Sequence, residues 1–130
     1  MKYFSLLLLP VMAITLSCSS KSTGSTLEGY ATRSSEGEVS FQLTPQAVVD
    51  GKFTVNLRAD THSGDLADLD LREAVTLHAA GKTYKPVSAS ALSGHHSTGS
   101  VAFDIERIPD SFFIVIAGVR DMKELKFEWP

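Results

Sequence analysis

A chain of 130 residues with 12 basic and 15 acidic side chains, net charge −3, has room for one two-layer domain. Its mildly acidic balance, with no Lys/Arg cluster, makes nucleic acid and an anionic membrane surface poor partners. The one cysteine, Cys18, means that the cellular compartment must be read from targeting signals and not from disulfides.

In chain order, Lys2 supplies a positive start and Phe4 to Leu16 an apolar run interrupted by Pro10. Ser17 is the small residue before Cys18, and a Ser/Lys/Thr/Gly stretch follows. The run is shorter than the roughly 20 apolar residues of a spanning helix. The segment resembles a bacterial lipoprotein signal, although Thr15 and Leu16 depart from the pattern, which favours Leu three residues before the cysteine. The resemblance implies a signal peptide over residues 1–17, removed before Cys18, and lipid attached to Cys18. An ordinary cleaved signal and an uncleaved anchor are the other readings. Loss of Lys2 takes the mature charge from −3 to −4. A lipidated Cys18 leaves no free thiol, which removes a cysteine nucleophile, Cys-ligated zinc and a blue-copper site. Ser19 stands where a retention signal carries Asp. The expected location is therefore the cell envelope, at the outer membrane or the outer face of the cytoplasmic membrane.

Residues 18–26 read as the lipidated cysteine and a flexible tether, and residues 27–130 as the folded domain. Period-two alternation predicts strands over 38–44, 52–59, 74–79, 83–88, 100–106, 112–117 and 124–129. Pro86 marks the fourth as an edge strand. Leu66 to Ala74 has room for a short helical turn. Seven short strands separated by Gly, Pro and Asp turns predict an all-β antiparallel sandwich, an immunoglobulin-like or cupredoxin-like Greek key.

In such a fold the chemistry sits in loops. Asp60-Thr61-His62-Ser63-Gly64 follows the second strand, and Ser93-Gly94-His95-His96-Ser97 precedes the fifth. The immunoglobulin arrangement pairs these two strands, which brings His62 to the same pole as His95 and His96. Imidazoles suit copper and zinc, with copper(II) bound most tightly. Asp60, Ser63 and Ser97 are placed to orient the rings by accepting their second N–H. Neighbours such as His95 and His96 leave opposite faces of a regular strand, so joint ligation requires an irregular loop. Histidines that merely cap a sheet end are the competing reading. Met122 is read as packing, His78 as a solvated surface residue, and Asp65, Asp68 and Asp70 as solvated carboxylates between buried leucines.

The Asp-Thr-His-Ser and Gly-His-His motifs, with Gly81-Lys82-Thr83-Tyr84-Lys85-Pro86 between them, resemble a pattern in small secreted or lipoprotein β-sandwich proteins of bacteria. The resemblance spans about residues 38–129 and implies that His62, His95 and His96 form one unit. It carries no activity with it. The chain lacks a Gly-x-Ser-x-Gly elbow and a phosphate-binding glycine loop. The expectation is a non-enzymatic, lipid-anchored domain that binds a transition metal, copper before zinc, through His62, His95 and His96. The alternative is a metal-free interaction module with a protein partner in the envelope.

Overall fold

The computed structural model describes residues 30–107, 110–120 and 122–130. The expected signal segment, lipidated Cys18 and tether lie outside the described residues, as does Asp121. Alternation of apolar and polar side chains produces β1 (Arg33–Ser35), β2 (Val39–Val49), β3 (Lys52–Thr61), β4 (Val75–Ala79) and β5 (Lys82–Tyr84). It continues through β6 (Ser88–Ala89), β7 (His96–Asp104), β8 (Phe112–Ile116) and β9 (Leu125–Trp129). A 3-10 turn (Leu66–Asp68) and helix α1 (Leu71–Ala74) fill the connection between β3 and β4.

The strands form two antiparallel sheets, in the orders β1-β2-β3-β7-β6 and β5-β4-β8-β9. Pairing of β3 with β7, and of β4 with β8, gives the immunoglobulin-like Greek key expected from the sequence. Nine strands stand among the described residues, where the sequence predicts about seven. Short β1 is one addition. The other arises because the predicted strand over 83–88 divides. Its first half is β5 at the edge of one sheet and its second half is β6 at the edge of the other, with Pro86 buried in the crossover. Very short edge strands offer little backbone for unwanted pairing.

Inward-facing Phe41, Phe53, Phe103, Leu77, Ile114 and Trp129 are each no more than 2% exposed and lead a continuous core. Burying a side chain of this size contributes about 1.5–3 kcal/mol. β8 lies between β4 and β9, as its continuous apolar run predicts, and half-buries Phe113 and Val115 on its outer side. The β2–β3 hairpin closes on Asp50-Gly51 with φ of 51° and 71°, the two left-handed residues that a type I′ turn requires.

Strand polarity gives the sandwich two distinct ends. β3 finishes, and β2, β4 and β7 begin, at the histidine pole. The opposite pole holds the start of β3 and of β8, the end of β9, and Tyr30, where the described chain begins. There Tyr30 stacks on Phe112 at 5.4 Å, Phe112 stacks on Trp129 at 5.0 Å, and Phe53 meets Phe112 edge-on at 5.3 Å. Trp129 Nε1 donates to the Ala31 carbonyl at 2.7 Å, and Arg33 Nε to the Glu128 carbonyl at 3.0 Å. These contacts hold the incoming chain against β9.

Candidate functional site at the histidine pole

The two histidine loops meet as the topology predicts. Thr61 N–H donates to the His95 carbonyl at 2.8 Å, and Leu66 N–H to the Gly94 carbonyl at 2.9 Å. Asp65 completes the bracing. Its Oδ1 accepts from Ala67 N–H at 2.8 Å, capping the 3-10 turn, and from Gly94 N–H at 2.7 Å across the pole. Those two backbone bonds, the Ala67 one foremost, hold the Asp65 carboxyl below its ordinary pKa, and the nearby charge of His95 acts in the same direction. The sequence reading leaves Asp65 as a solvated carboxylate. The available signal was an Asp two residues before the amide that it caps, the pattern of an N-cap.

The adjacent histidines part company. The ladder of β7 begins at His96, four residues earlier than the predicted strand, and pairs His96 with Asp60 of β3. Strand geometry then applies to His96, which stands on the outer face of the five-stranded sheet. His96 Nδ1 lies 2.6 Å from Asp60 Oδ1, and Arg58 Nε lies 3.0 Å from Asp60 Oδ2. The hydrogen bond from His96, followed by that from Arg58, lowers the Asp60 pKa. The His96 side chain is 72% exposed against 25% for Asp60, so the carboxylate is the sheltered member of the pair. His95 precedes the strand, sits in the turn, and is exposed. His62 is exposed too, and among the described residues its side chain forms no hydrogen bond or ion pair. Among the described residues no three His, Cys, Asp or Glu side chains gather closely enough to hold a metal ion.

Of the three residues expected to orient rings, Asp60 does so. Ser63 Oγ instead donates to Glu38 Oε1 at 2.8 Å, and its carbonyl accepts from Arg120 Nη1 at 2.7 Å. Ser97 Oγ accepts from Ser93 N–H at 3.3 Å and closes the Gly-His-His turn. Buried Thr61 donates its hydroxyl to the Ser63 carbonyl at 2.8 Å. Gly64, with φ of 73°, lets Arg120 cross closely, since a Cβ there would lie 1.8 Å from the guanidinium. Met122 packs against the core, as expected.

A narrow pocket of about 60 Å³ lies beside the pole, between Asp65, Leu66, Leu69, Val119 and Arg120. A wider open cleft of about 660 Å³ lies at the other pole, lined by Arg33, His78, Lys82, Phe113, Glu128 and Trp129. His78 is not the solvated residue that the sequence suggests. It stacks on Phe113 at 4.5 Å, is half-buried, and pairs its Nδ1 with Thr83 Oγ1 at 3.2 Å.

No family model matches this chain, and no match is found among curated proteins or solved structures.

Proposed function

We propose that this protein is a lipid-anchored module of the cell envelope, carried outside the cytoplasmic membrane on Cys18. In this reading its histidine pole binds a transition metal, copper before zinc, for metal handling rather than catalysis. The observation that carries the reading is the Asp60–His96 pair at 2.6 Å. A neutral imidazole that donates from Nδ1 to a carboxylate presents Nε2 as a lone pair, the state a metal takes up, and the carboxylate raises its basicity. Exposed His62 and His95 on the adjoining loops are the further donors. Copper(I), copper(II) and zinc titrations of the soluble fragment from Ser19 test the proposal. One-to-one copper binding that the His62→Ala/His95→Ala/His96→Ala variant abolishes is the expected result. Equal affinity in that variant overturns it.

A second reading is favoured by the divergence of His95 and His96. A braced, exposed pole whose side chains point in different directions suits a broad protein contact better than a point ligand. Under that reading the protein is a metal-free interaction module, and a partner crosslinked at the pole is retained in chelator.

A further inference from the structure

The start of the described chain and the histidine pole lie at opposite ends of the sandwich. The described chain enters at Tyr30, which is stacked on Phe112 and set against Phe53, while Ala31 is tied to the Trp129 indole. β3 runs from Lys52, beside Phe53, to Thr61, so its ten residues separate the entry point from the histidine loops by about 30 Å. The clamp keeps the entry point at that end, since peeling the chain back means exposing Tyr30 and opening the Trp129 bond.

Charge reinforces the polarity. Glu38, Asp60, Asp65 and Asp68 stand at the histidine pole against Arg58 and Arg120, a balance that an anionic bilayer repels. At the entry pole Arg33, Lys52, Lys82 and Arg107 stand against Asp50, Asp104, Glu106, Asp110 and Glu128, a smaller acidic excess.

We infer that the lipid-anchored protein stands with its entry pole toward the bilayer and presents His62, His95 and His96 away from it. The histidine surface thus serves a ligand or partner that arrives from the aqueous compartment, and lipid is not its target. The inference rests on the proposed lipidation of Cys18. From Cys18 to Tyr30 the chain spans at most about 40 Å, which bounds how far the entry pole can stand from the surface.

The test uses the full chain, purified with its lipid, in vesicles of phosphatidylethanolamine and phosphatidylglycerol bearing a headgroup acceptor dye. A donor dye is placed on Ala67→Cys, at the histidine pole, or on Lys82→Cys, at the entry pole. Both positions are exposed. The expected result is strong energy transfer from the Lys82→Cys label and loss of most of it from the Ala67→Cys label. Equal or stronger transfer from Ala67→Cys, on protein whose intact mass shows the lipid, overturns the orientation and leaves the anchoring standing. A wild-type chain whose Cys18 takes the dye and whose mass lacks lipid overturns the anchoring reading, and the orientation with it.

Discussion

The two poles of this sandwich are held by different physics. At the entry pole, Tyr30, Phe53, Phe112 and Trp129 bury aromatic surface against one another, and polar groups contribute two side-chain bonds to carbonyls. At the histidine pole, loops are joined by backbone bonds and carboxylate caps, and the imidazoles remain exposed. An apolar cluster resists change in pH and salt, whereas exposed carboxylate caps respond to both. The histidine pole is therefore the adjustable one, and the aromatic pole, where the described chain begins, is the fixed one.

The sharpest way to break that contrast is Phe112→Ala, which empties the centre of the aromatic cluster. It should cost about 3–5 kcal/mol in denaturant unfolding. A loss under about 1 kcal/mol would show that the entry pole is not held by packing. Trp129→Phe retains most of the ring and removes the bond to Ala31. Its expected cost is about 1 kcal/mol, with faster proteolysis near Tyr30, while amide exchange at Gly94 stays unchanged. At the other pole, Asp65→Ala deprives Ala67 and Gly94 of one shared acceptor. Several-fold faster amide exchange at both is expected, with the core amides unaffected.

The smallest effect is a pH slope. Asp60 and Asp65 both have native pKa values below their ordinary ones, so they bind protons more tightly in the unfolded chain. Their stabilisation is complete above the ordinary carboxylate value of about 4 and is lost as pH falls through the lowered native values. An Asp60→Asn/Asp65→Asn variant should therefore show a flatter decline of stability between about pH 5 and pH 2. An unchanged slope would mean that the caps do not couple to folding.

The pairing of β3 with β7 was legible because alternation at Phe53, Val55 and Leu57, and at Val101 and Phe103, specifies strands with one buried face. That pairing also predicted the meeting of the two histidine loops. The division of 83–88 was not legible, because three-residue strands carry too little period to show which sheet they join. Nor was His96 as a strand residue. Ser97, Thr98 and Gly99 give no hydrophobic alternation, and the ladder there is set by Arg58 and Asp60 across the sheet.

Side-chain pattern alone specified an all-β sandwich and the pole to which His62, His95 and His96 go. These follow from side-chain period and strand direction, which are local. It took the tertiary fold to pair His96 with Asp60 while His95 stays in the turn, to make Asp65 join the loops, and to clamp Tyr30 at the far end. Each of those depends on which backbone atoms of distant segments come within hydrogen-bonding reach, a matter of register and packing that no stretch of sequence encodes alone.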